Sequence, residues 1–238
     1  MNALPATFRS QPVIPYAPNA DGDRPNRWDR PSAAVETPSG LSAVSALQAT
    51  GIPGTETIQL GYVGLTRAET RTLEAFVADR AGRKTGFWCP TFQHDFYATD
   101  SGIGSTAVHV REWGYVDNLH SLQVAATFVF PFRYFAGYYA GASGSKWGLC
   151  KWNSSISAGG TDGFGNVVKV YTSADANGFE CAGADVWSQV SGGSAKGLVL
   201  MRLLWVRFAE DAITTEWNHP ALANLTLRVV SVPQETPA

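Results

Sequence analysis

The sequence predicts a mostly β, α+β fold with one principal α-helix over about residues 66–81, preceded by a proline-rich N-terminal arm. Three observations carry that prediction. Apolar and polar residues alternate over Thr55 to Val63, the two-residue period of a half-buried strand. The next segment switches to helical spacing between clear start and stop signals. Beyond it the apolar segments are short and separated by Gly- and Ser-rich connections, as in a domain built mainly of strands.

Taken in order, residues 1–53 read as an extended arm. They hold eight of the thirteen prolines, mixed with Asn, Asp, Ser and Gly, and proline supplies no backbone donor and fixes its own φ. Phe8, Val13, Ile14, Tyr16, Trp28 and Val35 are too apolar for a free linker, so the arm is expected to dock on its own domain or on a neighbouring subunit. The rest, 54–238, reads as one β-rich domain, with 101–196 either an insertion into it or part of it. In its first strand Ile58, Leu60 and Tyr62 share a face opposite Thr57 and Gln59. Thr66 and Glu69 form the S/T-x-x-E signature of a capping box, Ala68, Leu73, Phe76, Val77 and Arg80 follow near helical spacing, and Gly82 ends the helix. A short aromatic strand, Lys84 to Cys89, stops at Pro90.

Downstream, strands are expected over Ala107–Trp113, Leu122–Phe130, Val167–Thr172, Leu198–Phe208, Ile213–Trp217 and Leu225–Val232. Leu198–Phe208 is apolar on both sides apart from Arg202 and Arg207, the pattern of a strand covered on both faces. The last forty residues read as an antiparallel meander that turns at Asn218-His219-Pro220 and ends in a polar tail, Pro233 to Ala238, expected to fray.

Composition narrows the function. A chain of 238 residues with 45% hydrophobic and 12% aromatic content buries about 70% of its unfolded surface and needs no disulfide or structural metal. A net charge of −2 offers no basic footprint for sequence-specific nucleic-acid binding or an acidic membrane. The charged fraction, 16%, lies below the quarter or so usual for soluble domains, and weakly charged aromatic surfaces are typical of interfaces between copies of a protein. Prolines at 5, 12 and 15 interrupt any signal-peptide core. The longest apolar runs, Val124–Phe132 and Leu198–Val206, fall far short of the roughly 20 residues of a membrane helix, so no membrane insertion is expected.

No residue set has the pattern of catalysis, and the sequence predicts no cofactor and no metal. Cys89, His94 and Asp95 are the closest approach to a nucleophile–base cluster, but Cys89 lies in an apolar strand with no basic neighbour to lower its pKa, which favours a buried thiol. His94-Asp95 reads as a hydrogen-bonded pair at a strand end. His109, His120 and His219 stand apart with no metal-ligand spacing. Thr161 to Asn166 has the Asp and Gly of a calcium loop without its closing Glu, and reads as a turn. Cys150 and Cys181 complete an odd, widely spaced set with no CxxC.

Aromatic side chains are the strongest candidates for contact. Tyr134, Phe135, Tyr138 and Tyr139 in PFRYFAGYYAG, with Trp147 and Trp152 after them, suit either a packed core or subunit interface or the stacking platform of a carbohydrate-binding module, and Trp28 in the arm is a further candidate for assembly or receptor contact.

Two segments carry a family resemblance. TRAETRTLEAFVADRAGRKTGFWCPTFQHDF (66–96) resembles the helix-then-strand segment of tail-tip proteins of long-tailed bacteriophages and gene transfer agents, in which a Leu-Phe helix ends in an Arg-Ala-Gly-Arg turn and runs into an aromatic strand. VRFAEDAITTEWNHPALANLTLRVVSVPQE (206–235) resembles the C-terminal hairpin of minor tail proteins, with its Arg, its Asp and its Val-Pro-x-Glu ending. Together they cover about a quarter of the chain, and neither is a catalytic signature. Among such proteins the chain is most similar to distal tail proteins. The resemblance implies a structural virion protein, not an enzyme, with a β-barrel or β-sandwich module of tail-tube type flanked by the helix. It implies a homo-oligomeric ring, a hexamer, assembled in the host bacterial cytoplasm. In the virion tail that ring joins the tube to the hub, tip or baseplate and lines the DNA conduit. The other readings the residues leave are a receptor-binding carbohydrate module, a tail tube or tail-completion protein and, through Cys89, a tail-associated hydrolase.

Overall fold

The computed structural model describes residues 2–19, 27–29, 34–37, 46–49, 56–93, 95, 98–103, 107–111, 134–141, 144–161, 167–173, 180–181, 198–211, 213–232 and 235. In chain order these form β1 (Thr7–Phe8), β2 (Gln11–Pro12), β3 (Arg27–Asp29), β4 (Ala34–Thr37), β5 (Ala46–Ala49), β6 (Thr57–Thr66), α1 (Arg67–Asp79), β7 (Phe87–Pro90), β8 (Ala98–Ile103) and β9 (Ala107–Arg111). They continue as β10 (Tyr134–Gly141), β11 (Gly144–Thr161), β12 (Val167–Ser173), β13 (Glu180–Cys181), β14 (Leu198–Phe208), β15 (Thr214–His219) and β16 (Leu222–Ser231). The fold is mostly β with one α-helix among the described residues.

The chain divides into two units, one holding Met1–Ala17 and Trp88–Leu204, the other Pro18–Phe87 and Trp205–Ala238. β7 and β14 contribute residues to both. All of 101–196 falls within the first unit.

In the second unit β16 is the central strand. It pairs antiparallel with β6 on one side, and on the other with Val206–Phe208 of β14 and with β15; β3 extends the sheet beyond β6. β4 and β5 make a separate antiparallel pair. Ile58, Leu60 and Tyr62 are buried as their alternation requires, matched across the sheet by Leu225, Leu227 and Val229 of β16.

α1 starts where the capping box places it. The Thr66 hydroxyl accepts from the Glu69 N–H, and the Glu69 carboxylate accepts from the Thr66 N–H at 2.9 Å. Leu73 and Val77 are buried as expected, but Ala68 is exposed and Thr70 takes the inward place one turn before Leu73. Thr70 tolerates burial because its hydroxyl donates to the Thr66 carbonyl at 3.0 Å. At the other end Gly82 N–H bonds back to Val77 O and Ala81 N–H to Ala78 O, a Schellman closure with Ala81 at φ 49° and Gly82 at φ 58°.

In the first unit β10, β11, β12, β9 and β8 follow one another in antiparallel order; Leu198–Arg202 of β14 lies on the far edge of β10, and β13 pairs with β11. β14 is a buried central strand, as its two apolar faces predict: Leu200 through Val206 are all buried. The β10–β11 hairpin adds two strands to those expected from the sequence. Tyr134 to Gly141 and Gly144 to Lys151 pair residue for residue, with Gly137 opposite Gly148 and Gly141 opposite Gly144. The described pairings leave the sheets open, with no strand closing a barrel.

The start of the arm is folded into the first unit. β1 and β2 form a hairpin whose two loop residues, Arg9 and Ser10, both have positive φ, as a type I′ turn requires. Ile14 N–H bonds to Trp88 O at 3.0 Å, and Phe8, Val13 and Ile14 are buried. Tyr16 is half-buried. The strand expected over Leu122–Phe130 lies outside the described residues.

Candidate functional site

In the second unit the turn after α1 meets the chain that follows β14, at Gly82, Arg83 and Asp211. Gly82 places the Arg80-Ala81-Gly82-Arg83 turn directly on Asp211: a Cβ there would stand 2.6 Å from Asp211 Oδ1 and 2.9 Å from its Cα. Only glycine allows that approach. Asp211 then accepts three bonds from Arg83, from the backbone N–H at 3.1 Å, Nε at 3.2 Å and Nη2 at 2.9 Å. The Arg83 guanidinium, by donating these bonds, holds the Asp211 carboxyl below the usual carboxylate range, and the same bonds raise the pKa of Arg83.

Beneath this joint lies an aromatic cluster. Phe87 stacks obliquely on Phe208 at 4.6 Å between ring centroids, and Phe76 of α1 meets Phe87 edge-on at 5.1 Å and Phe208 at 6.2 Å. Gly86 brings the chain against the Trp205 ring, where a Cβ would come within 2.5 Å. At the C-terminal end, Arg207 pairs with Glu235, and Val232 N–H bonds to Trp205 O at 2.9 Å. Glu235 thus ties down part of a tail expected to fray. Arg207, Asp211, Val232 and Glu235 are thus each bonded to another part of the unit.

The aromatics singled out from the sequence are distributed differently. Tyr134 and Trp147 are buried, at 8% and 6% exposure. Tyr134 packs on Trp88 at 4.6 Å, with Lys151 Nζ 5.4 Å from its ring centre, and Trp147 packs between Tyr138 at 4.8 Å and Phe92 at 5.8 Å. Within this chain they are core, and their burial withholds them from a stacking platform. Tyr138 is half-buried, and its hydroxyl accepts from Asn2 Nδ2 at 3.2 Å. Trp28 lies in β3 opposite Ile58, Tyr139 in β10 opposite Lys146 and Trp152 in β11 opposite Ser173; their side chains lie outside the described residues.

Cys89 is fully buried, and burial pushes its thiol far above the usual range; Sγ sits 3.3 Å from Pro90 O. A protonated, enclosed thiol is a poor nucleophile. His94 and His120, residues 162–166 and the His109, Cys150 and Cys181 side chains lie outside the described residues. Of the expected His94-Asp95 pair, Asp95 alone is among the described residues. It is buried, accepts from the Thr91 hydroxyl and from Arg202 N–H at 2.9 Å, and lies 3.7 Å from Arg202 Nε. Its pairing with a fully buried Arg202 was missed, although an arginine alone in an apolar strand is itself the signal that a buried carboxylate must come from elsewhere.

Among the described residues no group of three or more His, Cys, Asp or Glu side chains could hold a metal, and no helix is long and apolar enough to cross a membrane. Two large hydrophobic side chains among them are exposed, Trp217 at 49% and Leu222 at 41%, at the tip of the β15–β16 hairpin. Trp217 borders an open cleft between that tip and the first two turns of α1, with a volume of about 600 Å³. Compared with known proteins, the chain matches no protein-family model and none of the curated proteins.

Proposed function

We propose that the protein is a structural component of the tail tip of a long-tailed bacteriophage or gene transfer agent, a distal tail protein that forms a ring between tail tube and tip. The observation that carries the reading is the joint itself. Two segments 110 or more residues apart, each resembling a tail-tip protein on its own, bring their shared residues, Gly82, Arg83 and Asp211, into one set of contacts. That contact supports reading the two segments together, since the residues they were compared on lie side by side in this fold.

In this reading the ring is a hexamer closed by head-to-tail contacts. The sheets belong to a barrel or sandwich module of tail-tube type, the channel passes DNA without binding it tightly, and the partners are the tube, hub and tip proteins. The protein is assembled in the host bacterial cytoplasm, belongs to the virion tail and is not an enzyme. Light scattering after size exclusion, with negative-stain microscopy across a concentration series, tests this. Rings with a central channel are the expected result, and a monomer at every concentration overturns the self-assembling ring.

A further inference from the structure

The cleft beside Trp217 has a composition that folding does not require. Arg67 and Arg71 stand four residues apart on α1, at the end where the helix dipole is already positive, so their charges repel each other and oppose the dipole. Arg67 is held in place: its Nε donates to Pro220 O at 3.0 Å and its guanidinium lies 5.8 Å from the Trp217 ring centre, which leaves both Nη groups unengaged by described residues. Arg71 makes no hydrogen bond or ion pair with any described residue. Across the cleft, His219 Nδ1 accepts from Ala221 N–H at 3.2 Å, which fixes the tautomer and leaves Nε2–H as a donor. Glu74 takes one bond from the Thr215 hydroxyl at 3.3 Å and keeps a free carboxylate oxygen, and Asn218 adds an amide.

We propose that this cleft binds an acidic saccharide, with Trp217 against the face of a pyranose ring and Arg71, together with Arg67, on its carboxylate. An exposed indole gives the flat apolar plate that the C–H face of a sugar needs. Glu74, Asn218 and His219 supply the mixture of donors and acceptors that hydroxyl groups need. Two guanidinia without a carboxylate partner call for an anion, which a neutral sugar does not provide. An acidic peptide provides the anion but no matching flat face. The volume, about 600 Å³, is that of a small-ligand site. The site differs from an aromatic platform at Tyr134 to Trp152, and it does not depend on ring assembly, since binding by monomer or ring counts equally.

The test uses the full chain and three oligosaccharides carrying glucuronate, galacturonate or sialate, each beside its neutral counterpart, read by calorimetry and indole fluorescence. At least one acidic sugar is expected to bind about tenfold more tightly than its counterpart. Arg71→Gln should bring it down to the neutral level, and Trp217→Ala should abolish binding of both, with melting temperatures unchanged because both side chains are exposed. Absence of binding by all three overturns the proposal, as does equal binding of acidic and neutral forms or binding that survives both substitutions. A Trp217→Ala change that alters only the oligomeric mass assigns the cleft to a second copy and overturns it too.

Discussion

Ala81 occupies the left-handed position that closes a helix, where glycine is the usual residue. Its φ of 49° puts Cβ against the neighbouring carbonyl, a strain of about 1–2 kcal/mol for an L-residue. The closure persists because Gly82 and Arg83 are fixed on Asp211. Ala81→Gly therefore relieves strain without disturbing the joint, and part of the gain is offset by the greater freedom of glycine in the unfolded chain. A net stabilisation of about 0.5 kcal/mol is expected, measurable as a shift in the urea midpoint at unchanged slope. The neighbouring position gives the opposite sign: Gly82→Ala meets Asp211 and should destabilise. Cys89 makes a second residue-scale test. Its burial and raised pKa predict that iodoacetamide leaves it unmodified in the native protein and alkylates it in urea, with peptide mass mapping to separate it from the other two thiols.

At the scale of the element, what was legible in the sequence was what depends on neighbours in the chain. The helix could be placed to within two residues because capping box, period and terminator are all local, and the alternation of β6 and the two apolar faces of β14 predicted their burial because those patterns are local too. The β10–β11 hairpin was not legible. Its aromatic and glycine residues follow no two-residue period, and its order comes from partners such as Arg202 opposite Phe135 that only the folded sheet supplies. The joint between the turn after α1 and Asp211, which precedes β15, was half legible: its residues could be named, but not that they touch. That contact has a testable electrostatic signature. Asp211 has its pKa lowered by the bonds from Arg83, so its contribution to stability is present above the unfolded value near 4 and is lost as pH falls through the lowered folded value. Arg83, with its pKa raised, stays charged throughout that range. Asp211→Asn keeps an acceptor for the Arg83 N–H but loses the charge, so it should lower the melting temperature at pH 7 and flatten its fall between about pH 5 and pH 2. Parallel melting curves for the two proteins would show that the pair adds nothing, and because both groups are exposed the difference should shrink in high salt.

For the whole molecule, the arm is where composition and structure part most clearly. Its prolines argue against long regular elements, and none occurs over residues 2–19, yet proline does not prevent burial. Leu4 N–H bonds to Pro15 O at 2.9 Å and Val13 N–H to Ala6 O at 3.1 Å, so the segment satisfies its own backbone while turning apolar side chains inward. Phe8 is 1% exposed and meets Trp88 edge-on at 5.7 Å and Tyr134 at 6.2 Å. A segment that only linked subunits could be removed with the domain left folded. A segment that completes the core of its unit cannot. Phe8→Ala should therefore cost about 3–5 kcal/mol of stability, the loss of a buried aromatic ring with its cavity left behind, and deletion of residues 1–17 should cost more. Near-ultraviolet circular dichroism with urea unfolding distinguishes the two roles: a role in assembly alone predicts an unchanged aromatic spectrum and a smaller oligomer. The packing around Trp88 predicts instead that the aromatic signal weakens and the urea midpoint falls in the variant, whatever its oligomeric mass.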